Sequence, residues 1–324
     1  MTYKRRTKQH SVPYGMVFLL SCFILLNTLF TAQASPEEPS VLLIADGNNA
    51  LMQTFSAQLN ESLKQHKIDL RSINLEDNNI LTPADLYPHD LIITLGSSAA
   101  DKILGKNINK PVLSTLIPQQ TFNAITSNRK YNKEPWSALL IDQPIKRQLL
   151  LIKHLFGKQE TIGTILGPYS SSMEKELTEQ SRKLNQTLFI EKIQATDELI
   201  FSLNKLSGNS GVLLAIPDPV AFNKNTIRSI LLSTYRHRIP VVGFSQSYVK
   251  AGAVASLHTD ISQIAEQAAN LTQQFFVTGK FSRSLYYPAE FSVSYNRMVA
   301  NSLNQDLPDS EKLIQLIKMD EQKP

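Results

Sequence analysis

The sequence predicts an α/β fold of two doubly wound parallel-sheet domains behind an N-terminal export leader. Short, continuous apolar runs alternate with amphipathic helical stripes along the chain, the pattern of parallel strands covered by helices on both faces. The alternation falls into two successive series of about five units each, which favours two domains over one closed barrel; an eight-fold barrel is the alternative architecture. The roughly 290 residues after the leader are too many for one ordinary core and suit two domains of about 100–200 residues.

The leader comes first in the chain and sets the compartment. Lys4, Arg5, Arg6 and Lys8 precede an uncharged, largely apolar run from Met16 to Phe30, and Ala32-Gln33-Ala34 follows as a small-x-small step. That order predicts a secretory signal peptide cleaved after Ala34; the apolar run is short for a membrane span, which needs roughly 20 residues. Four of the 33 Lys and Arg residues and none of the 28 Asp and Glu residues lie in the leader. Cleavage therefore leaves 29 basic against 28 acidic residues, and the nominal pI of about 9.1 gives no reason to expect a nucleic-acid partner. The single cysteine, Cys22, also lies in the leader, so the mature chain has no disulfide or thiol chemistry, as suits an oxidising compartment. Leu19-Leu20-Ser21-Cys22 resembles a lipobox, and lipid anchoring at Cys22 is the minor alternative to a free periplasmic protein. Against it, the apolar run continues through Leu26.

The first series opens with a strand at Val41–Ala45, a helical stripe of Leu51, Phe55, Leu59 and Leu63, and strands at 68–75, 91–95, 111–117 and 137–141. Ile145, Leu149, Ile152 and Phe156 then form a helix stopped by Gly157. The second series runs through a strand at 162–166, a helix over 171–186, a strand at 188–193, a helix over 197–206 and a strand at 212–216. A helix carrying Ile227, Ile230, Leu231 and Thr234 leads to a strand at 240–244. The remainder breaks the series: a strand at 254–259, a helix capped by Asp260 and ended by Gly279, a strand at 286–295 and a short helix over 297–303. Such extra elements are what a chain needs if it passes between its two domains more than once.

Enzyme motifs are missing: there is no G-x-G-x-x-G, Walker loop, G-x-S-x-G or H-E-x-x-H. No His/Asp/Glu set has ligand spacing, so neither cofactor nor metal is expected. His66, His89, His154 and His237 read as surface groups, and His258 beside Asp260 is the only pair that could orient a general base. The better candidates are polar loops at the carboxyl ends of the predicted strands, where open α/β sheets bind ligands. The loops are 46–49, 96–98, 115–119, 167–172, 217–219 and 244–246, and from them the candidate ligand contacts are Asp46 and Asn48; Gly96, Ser97 and Ser98; Thr115; Tyr169, Ser170 and Ser171; Asp218; and Phe244 and Gln246. Serines donate and accept, carboxylates grip an amine, and the aromatic rings offer apolar faces. Helix capping is the competing role for each loop. Asp218 stands out because prolines flank it.

Two segments carry a family resemblance. From Val212 the chain reads VLLAIPDPVAFNKNTIRSILLSTYRHRIPVVGFSQSYVKAGAVASLHTD and then ISQIAEQAANLTQQFF; from Tyr287 it reads YPAEFSVSYNRMVANSL. An apolar strand into a P-D turn, a short I-P-V strand, a V-x-x-G-A opening and a closing F-x-V-x-x-N-x-x-x-A-x-x-L element resemble the periplasmic substrate-binding proteins of ABC transporters, including the tryptophan/tyrosine-type components. The resemblance implies a type I periplasmic-binding fold, with two α/β domains joined by a three-crossover hinge. By analogy residues 35–142 plus 253–283 form the first domain and 143–252 plus 284–305 the second, with 306–324 a C-terminal tail. KPVLSTLIPQQ and EPWSALLID depart from the family's D-P and T-G signals, so the family's ligand does not carry over and an amino-acid-like ligand is one candidate among several.

The resulting expectation is a non-enzymatic, monomeric, exported solute-binding protein. It would hold a small molecule in an interdomain cleft and deliver it to an ABC permease in the inner membrane. The alternative role is a periplasmic sensor or accessory subunit that signals occupancy to a membrane partner.

Overall fold

The computed structural model describes residues 1–2, 38–77, 81–104, 106, 108–127, 136–157 and 160–323. The export leader, its cleavage point after Ala34 and Cys22 lie outside the described residues. From Ser40 the chain builds β1 (Ser40–Ala45), α1 (Ala50–Gln65), β2 (Asp69–Asn74), α2 (Pro83–Leu86), β3 (Leu91–Leu95), α3 (Ser97–Leu104), β4 (Val112–Ile117), α4 (Gln119–Ser127) and β5 (Trp136–Leu140). A second series follows with α5 (Ile145–Phe156), β6 (Ile162–Leu166), α6 (Glu174–Lys183), β7 (Leu188–Lys192), α7 (Leu199–Ser207), β8 (Val212–Leu214), α8 (Ile227–Arg236), β9 (Val241–Gly243), α9 (Gln246–Ala251) and β10 (Ala255–His258). The chain closes with α10 (Ile261–Thr278), β11 (Leu285–Tyr286), β12 (Ser292–Tyr295), α11 (Arg297–Ser302) and α12 (Ser310–Glu321).

These strands form two six-stranded sheets, ordered β2-β1-β3-β4-β5-β11 and β7-β6-β8-β9-β10-β12. Every pairing is parallel except the antiparallel β10–β12 edge. The same doubly wound order thus occurs twice, and the expected fold class is observed.

Burial explains why the strands read as unbroken apolar runs. Val41 and Leu43 of β1 face Phe55 and Leu59 of α1 and Ala265 and Ala268 of α10. Leu42 and Ile44, pointing the other way, pack with Ala99 and Ile103 of α3. Because successive side chains alternate sides and both sides are covered, the central strands are mostly apolar, and their buried polar residues Thr94, Ser114 and Thr115 are satisfied by hydrogen bonds between strands. The second sheet repeats this, with Ile162 and Leu166 against α5 and α12 on one face and Ile165 against Leu203 and Ile230 on the other.

Four expectations need correction. The run 286–295 is not one strand: Pro288 lies between β11, which joins the first sheet, and β12, which joins the second. Val254–Thr259 was grouped with the first domain, yet β10 pairs with β9 in the second sheet, and the chain returns to the first sheet only at α10. The expected C-terminal tail, 306–324, carries a helix of the second core: Leu313 and Ile317 of α12 are fully buried against α5 and β12. His89 is buried rather than a surface group, its Nδ1 2.5 Å from Ser40 Oγ. The capping reading of α10 holds: the Gln263 side chain accepts from the Asp260 N–H, and Gly279 takes the left-handed conformation while donating to the Phe275 carbonyl.

Between the sheets the chain passes three times, at 141–144, at 259–260 and at 287–291. These crossovers are tied together by polar side chains. Gln143 Nε2 donates to Thr259 Oγ1 at 2.6 Å, and Thr259 Oγ1 donates to the Glu290 carbonyl at 2.8 Å. Arg147, at the start of α5, donates to Gln143 Oε1, the Pro288 carbonyl and Glu321 Oε1, and its guanidinium lies 4.4 Å over the Phe291 ring.

If α12 is integral to the second core, Leu313→Ala costs about 2–5 kcal/mol, the usual toll of a buried leucine-sized cavity. Urea unfolding followed by circular dichroism checks this; a loss under about half a kcal/mol would show that α12 is not integral to that core.

Candidate functional site: a polar cavity between the sheets

The loops singled out in the sequence assemble into three separate clusters. In the first, Ser98 Oγ and Lys102 Nζ both bond the Asp46 carboxylate, the lysine at 2.8 Å. The Lys102 and Ser98 hydrogen bonds hold the Asp46 carboxyl below its ordinary range. Ser97 opens α3, Gly96 adopts positive φ, and Asn48 is exposed with its side chain on Gln53.

The second cluster surrounds Asp218, which is 2 % exposed. Its Oδ2 accepts from the Tyr169 and Ser170 N–H groups and the Ser170 hydroxyl, and its Oδ1 accepts from the Val220 and Ala221 N–H groups. Five donors saturate the carboxylate, so in this structure Asp218 is a latch between two loops. A Cβ on Gly167 would collide with that carboxylate, which explains the glycine there. Ser170 is fully buried, while Tyr169 and Ser171 project outward.

In the third cluster the Phe244 ring packs 4.5 Å from Tyr248, and Gln246 is exposed at the start of α9. Thr115 is fully buried, its hydroxyl donating to the Thr94 carbonyl, rather than presented to a ligand. His258 Nε2 is 3.9 Å from Asp260 Oδ1, too long for a hydrogen bond. Among the described residues no group of three His, Cys, Asp or Glu could hold a metal ion.

A cavity of about 170 Å³ lies where the two sheets' elements meet. Gln119, Gln120 and Asn123 of α4 line it from the first sheet's side, and Ile145, Ser172, Met173 and Glu176 from the second. Asp142 and Gln143 come from the first crossover and Tyr287 from the third. None of the twelve residues anticipated as contacts lines it, although the loops 115–119 and 167–172 reach it through Gln119 and Ser172. One signal was available: Asp142 follows an apolar strand just as Asp46 and Asp218 do. Glu176 and Tyr287 carried none, because only the chain's return crossings bring them here.

Its electrostatics are one-signed. Asp142 Oδ2 accepts the Gln119 N–H at 2.6 Å, and Tyr287 Oη donates to Gln119 Oε1 at 2.5 Å. Burial raises the Asp142 carboxyl above its ordinary range, partly offset by the Gln119 and Asp142 backbone N–H groups. Burial also raises Glu176, helped by the like charge of Glu179. The Tyr287 phenol is pushed up to about 12 by burial, then by the nearby charges of Glu176 and Asp142. Among the described residues no Lys, Arg or His lines the cavity.

The family model for ABC transporter substrate binding proteins matches residues 37–284. The chain belongs to that family. Its fold is the type I periplasmic-binding fold, shared with several solved structures. The ligand-free, open structure of CD0873, a substrate binding protein with adhesive properties from Clostridium difficile, is 16% identical with a TM-score of 0.67, over 84% of this chain and 97% of that one. An ABC domain in complex with L-Trp from Streptococcus pneumonia is 14% identical with a TM-score of 0.57, covering 86% and 98%. A conserved domain protein from Vibrio cholerae is 18% identical with a TM-score of 0.56, covering 86% and 98%. Among curated proteins none matches this chain.

Two predictions follow from the charges. Asp218→Asn sets an amide NH₂ against backbone donors and costs about 2–3 kcal/mol, measured by urea unfolding; an unchanged midpoint would refute the latch. Glu176 is the opposite case. Its folded carboxyl lies above the unfolded value, so at neutral pH its charge opposes folding, and that cost fades as pH falls through the raised value. Glu176→Gln therefore raises the Tm of the ligand-free protein at pH 7, by about 1–3 °C, and the gain disappears near pH 4 in differential scanning calorimetry.

Proposed function

We propose that this protein captures a small solute in the cleft between its two α/β bodies and delivers it to an ABC permease, without enzymatic turnover. The observation that carries the reading is the cavity, whose lining comes from both sheets' elements and from two of the three crossovers. A molecule held there would contact both bodies at once, so its binding energy would favour the closed arrangement over the open one. Family membership supports solute capture for a transporter. The predicted leader supports periplasmic delivery.

The polar loops at the strand ends flank this cavity in the proposed scheme. Ser97, Ser98, Tyr169, Ser171 and Gln246 would meet the ligand or the opposite body on closure, while Asp46 and Asp218 hold their loops in shape. At about 170 Å³ the cavity is below the roughly 300–1,000 Å³ that holds a drug-sized ligand, which favours a small solute.

A thermal-shift screen of the mature protein against amino acids, amines, nucleosides, sugars and small anions tests the proposal. One class is expected to raise the Tm by several degrees at about a hundredfold excess over Kd. Silence across all classes, with no compaction in small-angle scattering, would overturn it.

A further inference from the structure

The charge pattern of the cavity narrows the ligand. Asp142 and Glu176 reach it from different parts of the fold, one from the first crossover and one from α6. The influences on the two carboxyls are burial, backbone N–H groups and, for Glu176, the further negative charge of Glu179. The nearby guanidinium of Arg147 is committed elsewhere, to Gln143, Pro288 and Glu321. Nearby amides are also engaged: Gln143 Nε2 on Thr259, its Oε1 on Arg147, and Gln119 Oε1 on Tyr287. The charged groups that the described lining offers a ligand are these two carboxyls, with Gln120, Asn123 and Ser172 as neutral polar groups and Ile145 and Met173 as an apolar wall.

Both carboxyls are half-buried, and a partly desolvated carboxylate is costly unless it takes up a proton or a cation beside it supplies the opposite charge. We propose that the cavity selects a small organic cation, an amine or a guanidinium, whose charged head lies between Asp142 and Glu176 and whose hydrocarbon part lies against Ile145 and Met173. Two carboxylates can accept from one ammonium or from both edges of a guanidinium, in the strong class of charge-assisted hydrogen bonds. An anion would face repulsion from both. A neutral polyol could bond the oxygens but would leave the two charges uncompensated. The assignment rests on the solute-capture reading above and specifies the class of solute for that same site.

The test uses isothermal titration and thermal shift on the mature protein with defined probes: ethanolamine, putrescine, agmatine, guanidinium and choline, against glycerol, ribose, succinate and phosphate. At least one amine or guanidinium probe is expected to bind, and the neutral and anionic probes are not. Glu176→Gln and Asp142→Asn each weaken that binding at least about tenfold, as losing a hydrogen bond to a charged group requires. Glu174→Gln, which removes an exposed carboxylate paired with Lys192, leaves it unchanged. Melting curves of the variants separate lost binding from lost folding. Binding of only a neutral or anionic probe would overturn the cation assignment while leaving solute capture standing. Cation binding indifferent to both cavity variants would move the site elsewhere and overturn it too, whereas silence from every probe here and every class in the wider screen would remove both readings.

Discussion

Gln143, Thr259 and the Glu290 carbonyl form a hydrogen-bonded chain across the three places where the polypeptide passes between its sheets. Arg147 reinforces it by gripping Gln143 and the Pro288 carbonyl while its guanidinium covers Phe291. Each sheet carries its own two-sided apolar core, so each body could hold its shape without the other. Their mutual arrangement depends instead on a few polar bonds among crossover residues. Bonds of that kind have modest net worth, about 0.5–1.5 kcal/mol each, which is suited to a junction that must hold a geometry and still yield to a ligand.

The cavity sits against this junction, and Gln119 connects the two. Its N–H is held by Asp142 of the first crossover, and its side-chain oxygen accepts from Tyr287 of the third. The amino end of α4 is thereby anchored to both crossovers. A charge entering the cavity acts on Asp142 and so on the same bonds that fix α4 to the junction. Cavity and junction share residues, so in the proposed scheme a bound solute would act on the bonds that arrange the two sheets.

The three aspartates that end apolar strands show how far residue type alone can be read. Asp46, Asp142 and Asp218 look alike in sequence, each closing a strand ahead of a polar turn. Asp218 meets five donors and becomes a structural latch. Asp46 meets Lys102 and Ser98 and is neutralised locally. Asp142 meets backbone N–H groups and lines a cavity. Which neighbour each carboxylate meets depends on helices and loops distant in sequence. The prolines around Asp218 mark a turn whose carboxylate is taken up by those five donors.

By itself the sequence determined the class of fold, the doubled series of strands and helices, the caps of α10 and the repeated passage between two bodies. These follow from local periodicity: a strand buried on both faces must be mostly apolar, and a covering helix must carry a stripe. Only the tertiary structure decided that Tyr286–Tyr295 divides between two sheets, that α12 completes the second core, and that residues 119, 142, 176 and 287 share one cavity. Those outcomes depend on where the chain crosses, and a crossing leaves no periodic signal. It is set by the competition of two distant sheet edges for the same short strand.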